Sequence, residues 1–102
     1  MKILCVCEHG NTRSVALAYL IKTIYKHEAL ACGMKNMSDE TRQMLFAWAD
    51  KIIFLTDNPP GGLETFENKK ALYLGVGKDV WFNPKDQELI HRLLKKIKDL
   101  NL

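Results

Sequence analysis

The sequence predicts an α/β fold on a parallel sheet, and three observations predict it. Short, nearly unbroken apolar runs such as Ile3-Leu4-Cys5-Val6 and Ile52-Ile53-Phe54-Leu55 read as strands covered on both faces rather than strands with one wet face. Between them, apolar residues recur at the three-and-four spacing of helices. Strands that alternate with helices in this way call for parallel pairing, with right-handed crossovers setting helices on both faces of the sheet. The 102 residues suit one domain, 1–102, with a core of its own and no length to spare for a second fold.

Each element has its own warrant. Lys2 to Cys7 is the first strand, and the helix after it runs from Ser14 to about His27, with Leu17, Leu20, Ile21 and Ile24 on one face. Ala29-Leu30-Ala31-Cys32, ended by Gly33, is the second strand. Ser38 is an N-cap for the second helix, Asp39 and Glu40 suit its first turn, and Met44, Leu45 and Trp48 recur at helical spacing. Lys51 to Leu55 is the third strand. Asn58-Pro59-Pro60-Gly61-Gly62 then breaks the chain ahead of a short helix around Leu63 to Lys69. Ala71 to Val76 is the fourth strand, and Gly77 to Phe82 a loop. Asn83 and Pro84 supply a cap and a first-turn proline for the last helix, whose buried stripe is Leu89, Ile90, Leu93, Leu94, Ile97 and Leu100.

Composition narrows the function. A net charge of +3 with 26% charged residues is far from the dense basic stripes of a nucleic-acid binder and favours anionic ligands only slightly. Three cysteines without framework spacing, and a start that enters a strand directly, predict a reduced, cytoplasmic compartment. The apolar runs are too short to span a bilayer.

The chemistry concentrates where the first strand meets the first helix, in Cys7-Glu8-His9-Gly10-Asn11-Thr12-Arg13-Ser14. A strand-to-helix turn aims backbone N–H groups and a helix N-terminus at one point, which favours an anion. Arg13 adds a planar fork matched to two phosphate oxygens, and Cys7 adds a nucleophile whose thiolate the same positive field stabilises. Five residues between them can curl around a tetrahedral oxyanion, with the sulfur placed for in-line attack. A phosphate-binding loop thus spans Glu8, His9, Gly10, Asn11, Thr12 and Arg13.

This motif resembles the low-molecular-weight protein tyrosine phosphatase family, whose pattern is Cys, five residues, Arg, Ser at the end of the first strand. The chain resembles its short, single-domain bacterial and phage-like branch of predicted phosphatases. Ala49-Asp50-Lys51-Ile52-Ile53-Phe54 looks like the family's third strand, and the segment from Leu74 to Leu89 resembles the one that carries its general acid. The resemblance implies a three-layer sandwich with strand order 2-1-3-4, and a role for Ser14 in bonding the Cys7 sulfur; from the residues alone Ser14 reads equally well as a helix cap. It also implies that Asp79, in Lys78-Asp79-Val80, is the general acid, with Asp57 and Asp86 as lesser alternatives. Val15 stands where the family has Pro, Gly10 followed by Asn11 where it has an Asn three residues after Cys, and Thr12 where many members have a second Cys.

Other residues carry plainer readings. Cys5 is a core residue, since it lies too far from Arg13 for the motif, and no second pair of ligands makes Cys5 and Cys7 a metal site. Glu8 would repel a dianion, so its carboxylate faces solvent or grips a substrate cation. His9 reads first as a solvent-facing loop residue. Trp81 and Phe82 are either an aromatic wall for a phenyl ring or core contacts, and Trp48 is core. Gly75-Val76-Gly77-Lys78 lacks the full nucleotide-loop spacing and is a turn.

The expected activity is therefore hydrolysis of phosphomonoesters, phosphotyrosine-like, through a phosphocysteine, with no metal or other cofactor. The expected partners are a phosphorylated protein or a small phosphomonoester, with inorganic phosphate as product and neither membrane nor nucleic acid. The alternatives are a non-catalytic phosphate or nucleotide binder on the same fold, and a cysteine phosphocarrier resembling the IIB components of sugar phosphotransferase systems, whose loops do not need this Arg. Arsenate reduction needs resolving cysteines, and only Cys5 and Cys32 are available.

Overall fold

A computed structural model describes residues 1–7, 12–55, 71–74 and 85–100. Their elements are β1 (Lys2–Cys7), α1 (Arg13–Ile24), β2 (Glu28–Gly33), α2 (Asp39–Trp48), β3 (Lys51–Phe54), β4 (Ala71–Tyr73) and α3 (Gln87–Ile97), with single 3-10 turns at Met34–Asn36 and Lys98–Leu100. The four strands form one sheet in the order β2-β1-β3-β4, and every neighbouring pair is parallel. Register aligns Val6 with Cys32 and Phe54, and Cys7 with Gly33. The carboxyl ends of all four strands therefore share one edge, and β1 sits inside the sheet, where ligands of open α/β folds gather.

The period of two along β1 divides the core into two layers. Ile3, Cys5 and Cys7 join Ile53, Leu55 and the buried sides of α1 (Leu17, Leu20, Ile21) and α3 (Leu89, Leu93, Ile97) on one face. Leu4 and Val6 join Ile52, Phe54, Phe46 and Ala49 under α2 on the other. The result is three layers, with helices on both faces. Phe46 meets Phe54 edge to face, with ring centroids 6.1 Å apart, which anchors α2 to β3. At the opposite edge, Asp50 ties the starts of β1 and β3. Its N–H donates to the Lys2 carbonyl at 2.7 Å, and its carboxylate accepts from the Lys2 N–H at 2.8 Å.

Several boundaries differ from those the sequence suggests, each for a local reason. Helix α1 begins at Arg13 and stops at Ile24, which is exposed. There Lys26 adopts φ 60°, and the N–H of His27 reaches back to the Ile21 carbonyl at 3.4 Å. This is a left-handed helix terminus of the kind that usually takes Gly. Strand β2 extends to Glu28 and Gly33, β3 stops at Phe54, and β4 stops at Tyr73, the expected Val76 lying outside the described residues. Helix α2 buries Phe46 rather than Met44, which is exposed, while Leu45 and Trp48 pack at the margin of that layer. The cap of α3 is Asp86, whose Oδ1 accepts from the N–H groups of Glu88 (2.9 Å) and Leu89 (3.3 Å). Asn83, Pro84 and the expected helix at Leu63 to Lys69 lie outside the described residues.

Candidate active site

Cys7 is the last residue of β1, and its side chain turns toward α1 with only 1% of its surface exposed. Ser14, the second residue of α1, is fully buried against it, and the Cys7 thiol donates to Ser14 Oγ at 3.1 Å. The end of β1 and the first turn of α1 thus meet through these two side chains. Ser14 is not a helix cap. Thr12 holds that position, and among the described residues its side chain makes no capping hydrogen bond.

Arg13 opens the helix and is 3% exposed. Its Nη1 donates to the carbonyl of Leu55 at 3.2 Å, one residue beyond β3. Leu55 is itself fixed to β1, since its N–H donates to the Val6 carbonyl at 2.8 Å. The guanidinium is thereby oriented by two neighbouring strands at the edge where β1 ends. A positive group at the first position of a helix opposes the helix dipole, and the first turn of α1 contains no acid. Buried Arg13 and the helix start therefore add their fields at one place, which is an arrangement suited to an anion. The Leu55 carbonyl was not legible as part of the site, because it lies 42 positions from Arg13 and only strand order brings it near.

Two of the three thiols are held in their neutral form. Burial, followed by the neighbouring Cys32 and Cys7 thiols, pushes the Cys5 thiol far above the ordinary range; nearby Lys22 opposes this. Cys32 is pushed up to about 12, again by burial first and then by Cys7. Neither supplies a thiolate near neutral pH.

Of the sequence-derived site residues, Cys7, Thr12, Arg13 and Ser14 come together at one strand–helix junction. Glu8, His9, Gly10 and Asn11 lie outside the described residues, as do Asp79, Asp57, Trp81 and Phe82. Because β4 is parallel to β3 and β1, Leu74 leaves the sheet at the same edge as Cys7. Asp86 has its carboxylate engaged as the α3 cap. A shallow cavity of about 390 Å³, bordered by Lys22, His27, Glu28 and Trp48, lies where α1 ends and β2 begins, away from these groups. Among the described residues no three His, Cys, Asp or Glu side chains gather to hold a metal ion, and no helix is long and apolar enough to cross a membrane.

Comparison with protein-family models, with curated proteins and with solved structures gave no match.

Proposed function

We propose that this protein is a cysteine-dependent phosphatase that cleaves phosphomonoesters, phosphotyrosine-like, through a phosphocysteine. The observation that carries the reading is the Cys7 sulfur, held 3.1 Å from the Ser14 hydroxyl at the junction where buried Arg13 is anchored. The likeness of the Cys7-to-Ser14 motif to low-molecular-weight protein tyrosine phosphatases belongs to the same proposal, as does a reduced, cytoplasmic setting for the three cysteines.

In the first step the Cys7 thiolate attacks phosphorus, the S–P bond forms and the ester P–O bond breaks. Asp79 gives its proton to the departing oxygen. The Arg13 fork and the amides of the loop from Glu8 through His9, Gly10 and Asn11 to Thr12 hold the equatorial oxygens as charge builds on them. In the second step Asp79, now ionised, takes a proton from water, the water oxygen bonds to phosphorus, the S–P bond breaks and phosphate leaves. Ser14 reverses its hydrogen bond, donating to the sulfur as it departs with negative charge.

Distance supports a role for Asp79. Two strand spacings, about 10 Å, separate β4 from β1, and the five residues from Leu74 to Asp79 reach at most about 17 Å. The substrate is a phosphorylated protein or a small phosphomonoester, and the product is inorganic phosphate.

The test is turnover of para-nitrophenyl phosphate in the presence of a chelator. The parent chain turns over and Cys7→Ser does not. Asp79→Asn loses roughly 10²–10⁴-fold on esters of poor leaving groups and far less on esters of very acidic phenols, whose oxygen departs without a proton. Phosphate binding without turnover would favour the non-catalytic binder, and a phosphocysteine stable in water would favour the phosphocarrier.

A further inference from the structure

A parallel sheet with helical crossovers gathers every strand start and every helix end at one edge, here the edge opposite Cys7. Lysines collect there. Lys22 and Lys26 lie at the end of α1, Lys95, Lys96 and Lys98 at the end of α3, and Lys2 and Lys51 at the starts of β1 and β3; all but the half-buried Lys51 are exposed. The acids at this edge, among the described residues, are Glu28, Asp50 and Asp99. Seven lysines against three acids leave an excess of four positive charges, although the whole chain carries only +3. Helix dipoles account for part of this, since three helix ends bring about −1.5 of partial charge in all, less than half of the excess. Apolar groups are exposed at the same edge. Met1, whose carbonyl accepts from the Glu28 N–H at 3.1 Å, and Ile24, the last residue of α1, are each 51% exposed. Half-buried Trp48, which ends α2, borders the cavity there together with Lys22 and His27.

We propose that this edge docks on an anionic lipid bilayer, with the lysines against the headgroups and Ile24 and Met1 entering the headgroup boundary. Clustered lysines beside exposed aliphatic groups and a tryptophan suit such a surface, because charge attracts the protein and apolar contact holds it. An acidic polypeptide would use the lysines but gives no reason for Ile24 and Met1 to be exposed among them. Docking of this kind needs no spanning helix, so it revises the expectation that membranes play no part. It follows from the fold and the surface, independently of the phosphatase reading. Lys2 and Cys7 are five strand steps apart, about 17 Å. Under that reading, the docked protein presents Cys7 to phosphomonoesters in solution and not to the lipids beneath it.

The experiment is co-sedimentation of the whole chain with phosphatidylcholine vesicles, with and without phosphatidylglycerol, at low and at physiological salt. Expected is binding to the anionic vesicles alone, weakening as salt rises. Lys95→Glu should weaken it at least about fivefold. Lys35→Glu, the same change of charge beyond the opposite end of β2, should leave it nearly unchanged. Ile24→Ser should weaken it severalfold without altering its dependence on salt. No binding to anionic vesicles at physiological salt, equal binding to both kinds of vesicle, or an equal loss in the two lysine variants would overturn the proposal. Binding of soluble polyglutamate without binding of vesicles would assign the edge to an acidic protein instead. Vesicle binding without turnover of para-nitrophenyl phosphate leaves the docking standing while the phosphatase reading falls.

Discussion

Helices α1 and α2 both follow a strand at the carboxyl edge of the sheet, yet they begin in opposite ways. Helix α2 has the usual equipment: Ser38 Oγ accepts from the Thr41 N–H at 3.1 Å, and Asp39 and Glu40 occupy the first turn. Helix α1 has no acid in its first turn, no side-chain cap from Thr12 among the described residues, and a buried arginine at its first position. Caps and acids satisfy the positive end of a helix at little cost, so a helix start that omits both and adds a cation is poor for stability and well suited to an anion. Under the proposed function, the difference is one between a helix start that serves the fold and one that serves a ligand.

The largest break in that comparison comes from Arg13→Lys. A lysine keeps the charge but has one ammonium where the guanidinium has a fork, so it cannot both bond the Leu55 carbonyl and clasp two phosphate oxygens. Turnover should fall on the order of 10²–10³-fold and phosphate affinity should fall with it, measured by steady-state kinetics and product inhibition. Thr12→Asp makes α1 resemble α2. The new carboxylate can cap the helix, but about 5 Å from a bound phosphate it adds roughly 3 kcal/mol of repulsion at an effective dielectric near 20. Phosphate should then bind at least about tenfold more weakly in calorimetry, while urea unfolding shows stability held or raised. The smallest effect is expected from Ser38→Ala, which removes the cap of α2. It should cost about 1 kcal/mol in urea unfolding and leave phosphate affinity unchanged. A matching loss of phosphate affinity would mean that the two helix starts are not functionally distinct.

The sequence made this contrast visible in part. Cys7, Arg13 and Ser14 declare themselves by spacing, and Ser38 with Asp39 and Glu40 by composition, because both signals are local. What escaped was set by distant partners. The run from Met44 to Trp48 is apolar on several sides, and only the edge-to-face fit of Phe46 on Phe54 decides which side is buried. Asn83 and Asp86 both have capping side chains, and the two N–H groups bonded by Asp86 identify it as the cap. Ser14 could serve as a cap or face the sulfur; the start of α1 one residue earlier puts it inside the helix, against Cys7. The anchoring of Arg13 by Leu55 follows from the adjacency of β1 and β3, which periodicity does not specify.

The measurement closest to the central claim is a rapid acid quench of the parent chain during turnover of para-nitrophenyl phosphate, followed by peptide mapping. The account predicts a phosphoryl group on Cys7 that appears within the first turnover, decays as substrate is exhausted, and is absent in Cys7→Ser. Phosphorylation of a different residue, or turnover that continues undiminished in Cys7→Ser, would contradict it.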